Sequence, residues 1–357
     1  MDALMLPLNW QRVRLGDILT LKHGRDYKNF KLGNIPVYGS GGYMLSINNF
    51  LHNGESVCIG RKGTIDKPIY LNGKFWVVDT LFYSYSFKKS IPKFIFYAYS
   101  NIKWNTEHTT ILRLYNDNFR NTLIPLPPLN EQIAIANILS DVDRYLYSLD
   151  ALILKKESVK KALSFELLSQ RKRLKGFNQA WQRVRLGDIC EIVKGQQINK
   201  ISLNNTDKYP VINGGIDFLG YTNKFNVSKN TIAISEGGAC GYVRFMKSDF
   251  WSGGHNYSLQ KISNKVNNLC LYHILKSYEK DIMKLGVGSG LKNIQLKALK
   301  DFEIFLPPLN EQIAIANILS ALDHEITSLK NKKRQFDNIK KALNHDLMSA
   351  KIRVLEK

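Results

Sequence analysis

The chain has 357 residues, 44% of them apolar and 11% aromatic. That is enough for two or three packed domains and unlike a disordered chain. With 51 Lys and Arg against 30 Asp and Glu, its net charge of +21 attracts a polyanion, nucleic acid before an acidic membrane.

Cys58, Cys190, Cys240 and Cys270 lie far apart, with no CxxC pair and no His at zinc spacing. They read as buried thiols of a reduced, cytoplasmic protein without a metal site. No apolar leader and no run of 18 apolar residues occurs, so no membrane partner is expected.

Residues 10–18 read WQRVRLGDI and return unchanged at 181–189, and residues 126–140, LPPLNEQIAIANILS, return unchanged at 306–320. Identity over fifteen positions marks a duplication. Two copies of one fold pack about a pseudo-two-fold axis, and duplex DNA is the commonest pseudo-symmetric partner.

Between the blocks identity collapses to a faint skeleton. Residues 35–42 (IPVYGSGG) face 209–215 (YPVINGG), 57–63 (VCIGRKG) face 232–238 (IAISEGG), and Trp76 faces Trp251. Apolar runs at 35–38, 56–59, 75–78 and 231–234, separated by Gly and Asn clusters, predict strands joined by tight loops. Segments 92–104 and 268–285 read as helices. Each variable stretch is thus a mixed α/β domain of about 110 residues. The positive charge concentrates there: 14 Lys and Arg against 6 acids in 19–125, and 15 against 9 in 190–305.

After Pro127-Pro128, Asn130 suits a helix N-cap. Apolar residues then recur at Ile135, Ile138, Val142, Tyr145, Leu149, Leu152, Val159 and Leu163, with a break at Lys156. The second copy gives Ile315, Ile318, Leu322, Leu329, Phe336, Ile339 and Leu343, broken at Glu325 and Lys332. No Gly or Pro occurs between Asn130 and Lys175, so one helix of about 43 residues, roughly 64 Å, is expected. The stripe predicts that the two helices pair as an antiparallel coiled coil. The boundaries expected are 1–125 and 176–305 for the two heads, and 126–175 and 306–357 for the helices.

Catalytic patterns are missing. Gly60-Arg61-Lys62-Gly63-Thr64 is too short for a phosphate-binding loop, no methyltransferase or nuclease set is recognisable, and the seven histidines form no repeated set. Loops with Arg, Lys, Asn and Gln between glycines suit DNA readout instead. Arg forks onto guanine, Asn and Gln onto adenine, and Lys neutralises phosphate. The candidates are Lys22, Arg25, Arg61, Lys62, Arg113 and Asn116 in the first head. In the second they are Lys194, Gln196, Gln197, Arg244, His255, Lys292 and Asn293. The change from Arg61-Lys62 to Glu236-Gly237 suits heads that read different bases.

The order of blocks over the whole chain resembles the specificity subunit of type I DNA restriction-modification systems. The resemblance rests on Pro127-Pro128-Leu129-Asn130-Glu131-Gln132 and its copy Pro307-Pro308-Leu309-Asn310-Glu311-Gln312, on the blocks at 10–18 and 181–189, and on Gly60-Arg61-Lys62-Gly63-Thr64. It implies two target recognition domains, each reading one half of a bipartite asymmetric DNA site, with the coiled coil fixing the spacer. It also implies partners: two adenine-methylating subunits using S-adenosylmethionine, and ATP-driven translocating nuclease subunits with Mg. This chain would itself be non-catalytic and hold no cofactor, serving host defence.

Asn130, Glu131, Gln132, Asn310, Glu311 and Gln312 are the candidates on the helices for docking those partners. Segment 109–114 departs from the pattern, lacking the Gly-Ser start seen at Gly288-Ser289-Gly290. The alternatives are a stand-alone methyltransferase or nuclease, or a coiled-coil scaffold for RNA or protein.

Overall fold

The computed structural model describes residues 6–106 and 113–354. The chain divides into two compact units, one joining the stretch up to Ala151 to Asn331 onward, the other running from Leu152 to Lys330. Units and sequence repeats are therefore out of phase. Each unit takes one head, the opening part of one long helix and the closing part of the other.

Unit 1 runs β1 (Gln11–Arg14), α1 (Leu15–Ile18), β2 (Thr20–His23), β3 (Leu32–Gly39), β4 (Gly42–Ile47), β5 (His52–Asn53), β6 (Ser56–Gly60), β7 (Ile69–Leu71), β8 (Lys74–Val77) and β9 (Leu81–Tyr85). It continues with α2 (Pro92–Tyr99), α3 (Asn116–Arg120), β10 (Leu123–Leu126) and α4 (Leu129–Leu168), which crosses into unit 2. An antiparallel sheet of order β2-β9-β6-β7 packs on α2 and α4 through Ile59, Phe82, Phe94, Tyr97, Ile135 and Leu139. A second sheet, β4-β3-β8-β5, contains the parallel pair β3–β8, with Val37 opposite Trp76.

Unit 2 repeats the plan. Its elements are β11 (Gln182–Arg185), α5 (Leu186–Ile189), β12 (Glu191–Lys194), β13 (Tyr209–Ile212), β14 (Gly220–Thr222), β15 (Thr231–Ser235), β16 (Val243–Met246), β17 (Trp251–Ser252) and β18 (Asn256–Gln260). Then follow α6 (Asn268–Ser277), α7 (Glu279–Lys284), β19 (Gly286–Val287), β20 (Asn293–Ile294), α8 (Leu296–Lys300), β21 (Glu303–Leu306) and α9 (Leu309–Met348). The sheet β12-β18-β15-β16 matches β2-β9-β6-β7, and Val211 lies opposite Trp251 in the parallel pair β13–β17. The strands read from the sequence at 35–38, 56–59, 75–78 and 231–234 all lie within or overlap β3, β6, β8 and β15.

Three helical expectations change. The helix at 92–104 stops at Tyr99, where the Asn101 side chain takes the Tyr97 carbonyl. Segment 268–285 is two helices, because Tyr278 leaves helical geometry at ψ 6°. The long helices have 40 residues each and end at Leu168 and Met348 instead of near Lys175. Gln170 and Ala350, at φ 61° and 58°, take the left-handed conformation that stops a helix.

Within each unit the two long helices run antiparallel. Asp143 meets Lys340 (2.5 Å) and Asp150 meets Lys333 (2.9 Å) in unit 1, and Lys156 meets Glu325 (2.8 Å) in unit 2, where Lys160 also pairs with Asp323. The seam differs from the expected stripe. Leu152, Val159 and Ile339 are exposed, whereas Leu146 and Ile153 are buried and Lys156, Lys160, Lys333 and Lys340 sit on the seam. Each lysine covers the seam with its aliphatic stem and carries its ammonium to an acid on the facing helix.

The identical blocks build one frame in both units. β1 pairs with β10 and β11 with β21 in the same register, so Gln11 faces Leu126 and Gln182 faces Leu306. Trp10 Nε1 donates to Glu131 Oε2 (3.0 Å) and Trp181 Nε1 to Glu311 Oε2 (3.1 Å). An arginine from just beyond the closing helix completes each carboxylate: Arg353 forks onto Glu131 (2.7 and 3.0 Å) and Arg173 onto Glu311 (both 2.7 Å). Such forked, charge-assisted bonds are what a buried carboxylate requires. Gln132 bonds the backbone of Ile91, Lys89 and Pro127, and Gln312 bonds that of Asn267, Lys265 and Pro307. Helix start and head are thereby locked together twice with the same groups.

One contact of the frame differs. In unit 1 the Tyr97 hydroxyl donates to Asp143 (2.7 Å) beside Ser140. In unit 2 the place is taken by His273, 3.4 Å from Ser320 Oγ. Burial pushes the His273 imidazole down to about 4, only partly offset by Asp323. No helix among the described residues is long and apolar enough to cross a membrane.

Candidate nucleic-acid interface

The end of the first sheet presents the loops of unit 1. β2 runs into Gly24, where a Cβ would stand 2.1 Å from the Val78 carbonyl. Only glycine allows that approach, and it turns the exposed Arg25 to the surface, its carbonyl held by Trp76 Nε1 (2.8 Å). Lys22 and His23 point to opposite faces of the strand, opposite Tyr83 and Phe82 respectively. Lys22 lies 5.1 Å from the centre of the Tyr85 ring.

Beyond β6, Leu114 N–H on the Arg61 carbonyl (2.9 Å) and a bridge between Lys62 and Arg113 draw two distant loops together. Arg61, Lys62, Arg113 and Asn116 thus line one cleft of about 160 Å³ floored by His23 and Phe82. Arg61 also reaches the Asp79 carbonyl (3.4 Å), and Lys62 its carboxylate (3.3 Å). Burial, and then the Arg61 charge, hold the His23 imidazole below its usual range. Of the departure at 109–114, residues 109–112 lie outside the described residues.

Unit 2 holds its loops by equivalent bonds. Gly195 repeats the tight approach, 2.2 Å to the Gly253 carbonyl, and Trp251 Nε1 donates to the Gln196 carbonyl (2.9 Å). Gln196 therefore stands where Arg25 stands, with the exposed Gln197 beside it. Ile294 N–H donates to the Glu236 carbonyl (2.9 Å), so Glu236 stands where Arg61 stands, and exposed Lys292 and Asn293 adjoin it. The Glu236 carboxylate takes Lys194 Nζ (2.6 Å), lies 3.8 Å from His255 Nδ1 and is approached by the Tyr257 hydroxyl (3.2 Å). Burial, and next the Glu236 charge, push that hydroxyl up to about 12.

Two sequence expectations are redirected. Arg244 is turned inward, donating to the Gly215 (2.5 Å) and Ile216 (2.7 Å) carbonyls, and burial lowers its pKa. Its guanidinium shapes the loop and does not project from it. On the helices, Glu131, Gln132, Glu311 and Gln312 are buried and bonded within their own unit, and only Asn130 and Asn310 of the six are exposed.

Missed by the sequence were Asp79 and Tyr257, brought in by the fold from 17 and 21 positions away. The Trp76 and Trp251 match was the one signal that located the Arg25 and Gln196 carbonyls. Among the described residues no three His, Cys, Asp or Glu side chains cluster closely enough to hold a metal ion.

The family model described as the type I restriction modification DNA specificity domain matches residues 7–156 and again 178–336. A type I specificity subunit of Mycoplasma pneumoniae is 38% identical over 154 residues, 43% of this chain and 41% of that protein. One of Mycoplasma genitalium is 36% identical over 43% of this chain and 40% of its own length. The alignment thus spans less than half of these two relatives. The type I restriction enzyme MjaVIII specificity subunit of Methanocaldococcus jannaschii is 26% identical over 99% of this chain and 95% of its own length. The crystal structure of a type I restriction-modification S subunit from M. genitalium shares the fold at TM-score 0.74, covering 97% of both chains at 20% identity. The chain, with two copies of that domain on one repeated frame, belongs to the type I restriction-modification DNA specificity family.

Proposed function

We propose that this chain is the DNA-recognition subunit of a type I restriction-modification complex, each head reading one half of a bipartite, asymmetric site. One observation carries the reading: an identical frame holds equivalent loop positions whose side chains differ, Arg25 against Gln196 and Arg61 against Glu236. Loops fixed alike but furnished differently suit two half-sites of different sequence.

The antiparallel helices set the spacer between the half-sites. Partner subunits supply adenine methylation with S-adenosylmethionine and cleavage with ATP and Mg, so the chain itself is a non-catalytic component working on cytoplasmic DNA. Two methylation subunits fit the duplicated frame. Leu129, Asn130, Ile133 and Asn137 are exposed and identical to Leu309, Asn310, Ile313 and Asn317, as are Gln11, Arg12, Arg14 and Asp17 to their copies. Packing does not require identity at exposed positions, whereas docking like partners does.

Selection from random bipartite duplexes tests this. The full chain should enrich two half-sites at fixed spacing, with affinity falling steeply with salt. Seven residues inserted after Leu152 and after Lys330, between the Asp150–Lys333 and Lys156–Glu325 pairs, should lengthen the selected spacer. An unchanged spacer would remove the ruler, and methylation by the purified chain with S-adenosylmethionine alone would favour the stand-alone enzyme.

A further inference from the structure

Glu236 closes β15 at the reading end of unit 2. Its side chain is only 10% exposed. Oε1 is satisfied by Lys194 at 2.6 Å and by Tyr257 at 3.2 Å. Oε2 is buried and accepts no hydrogen bond from any described residue. The imidazole of His255 is nearest, but Nδ1 stands 3.8 Å away, beyond hydrogen-bond range. A buried carboxylate oxygen without a donor is costly, so Oε2 is an acceptor left open to a donor that the described residues do not supply.

The surroundings fit such a visitor. The backbone is fixed on both sides, by Glu236 N–H on the His255 carbonyl (2.9 Å) and Ile294 N–H on the Glu236 carbonyl (2.9 Å). The acceptor's backbone is therefore held in place, and the His255 side chain beside it is 54% exposed. Lys194 neutralises the carboxylate, which otherwise would repel the phosphates of an approaching duplex.

We propose that Glu236 Oε2 is the specificity-determining acceptor of unit 2. It takes an N–H from the exocyclic amine of one base, N4 of cytosine or N6 of adenine, as His255 swings aside. The proposal rests on the reading of the chain as a bipartite DNA reader. A carboxylate accepts from such amines and has nothing to offer guanine O6 or N7. Arg61, at the same place in unit 1, is a donor and has the opposite preference. The two half-sites are then of opposite hydrogen-bond polarity at this equivalent position.

The test is selection from a random bipartite duplex library by the full chain and by Glu236→Gln, followed by affinity measurements with base analogues on the unaltered protein. The wild-type chain should enrich cytosine or adenine at one position of one half-site. E236Q should lose about tenfold of a cytosine preference and leave the other half-site untouched; an adenine preference passes to the glutamine amide, which also pairs with adenine, and is tested by the analogues. Zebularine for cytosine, or unsubstituted purine for adenine, lacks the amine and should weaken wild-type binding about tenfold. Whichever analogue does so identifies the base.

A cytosine preference that E236Q leaves unchanged, or wild-type binding indifferent to both analogues, overturns the proposal while the bipartite reading stands. No enrichment in either half-site overturns the reading itself. Should E236Q fail to fold, the analogues on the wild-type chain decide.

Discussion

At the end of β6 unit 1 carries Arg61, and at the end of β15 unit 2 carries Glu236, on backbones held by the same hydrogen bond of 2.9 Å. Beside them His23 and Phe82 in one unit are matched by Lys194 and Tyr257 in the other. Beneath these loops, by contrast, Trp10, Glu131, Gln132 and Arg353 repeat as Trp181, Glu311, Gln312 and Arg173 with the same partners. Divergence of the loops is possible because the frame is over-determined: its buried bonds join Trp10, Glu131, Gln132, Arg353 and backbone groups and use none of the reading-loop side chains.

The largest effects should come from breaking that frame. Arg173→Met and Arg353→Met each leave a buried carboxylate that is 1% and 3% exposed. Arg173→Met should cost about 3 kcal/mol in urea unfolding, the low end of the range because the arginine is partly solvated, and Arg353→Met should lower stability in the same direction. Markedly unequal costs would end the equivalence of the two units.

Next comes the contact in which the frames differ. The His273 pKa is lower folded than unfolded, so between pH 6.5 and 4 the unfolded chain binds more protons and stability falls with acid. The contribution is fully present above about pH 6.5 and lost progressively toward pH 4, about 3 kcal/mol in all. Lys160, Asp323 and Tyr272 adjoin the imidazole. Acid unfolding that is the same in His273→Tyr, which copies unit 1, would remove the assignment.

The head loops should give smaller, separable effects. Arg25→Gln should change base preference in one half-site and Gln196→Arg in the other, each by about 1–3 kcal/mol. A shift in both half-sites from either variant would break the modular reading. The smallest effect is expected for Lys62→Ala, which should weaken binding uniformly across sequences and lower the salt slope by about one. A sequence-dependent loss there would make Lys62 a base reader.

Much of the frame was legible because it is written twice. Identity at 10–18 and 126–140 located both block starts, and Trp76 with Trp251 aligned the heads where almost nothing else matched. The helix seam was less legible. Counting apolar residues alone admitted Val159 and rejected Lys156, whose stem is apolar and whose charge depends on a partner on the other helix. The roles of Glu131 and Gln132 were hidden for a similar reason. Polar side chains at a helix start read as surface until Trp10, Arg353 and the Lys89 carbonyl are brought around them.

The sequence by itself determined the duplication, the two long helices, the excess charge in the heads and the family, since repetition, period and composition are local properties of the chain. Only the tertiary structure decided that the units run out of phase with the repeats and that the repeated polar residues lock the frame. It alone gathered Arg61, Arg113 and His23 in one unit and left Glu236 with an unanswered oxygen in the other. Hydrogen-bond partners and burial belong to residues far apart along the chain, and only folding brings them within reach.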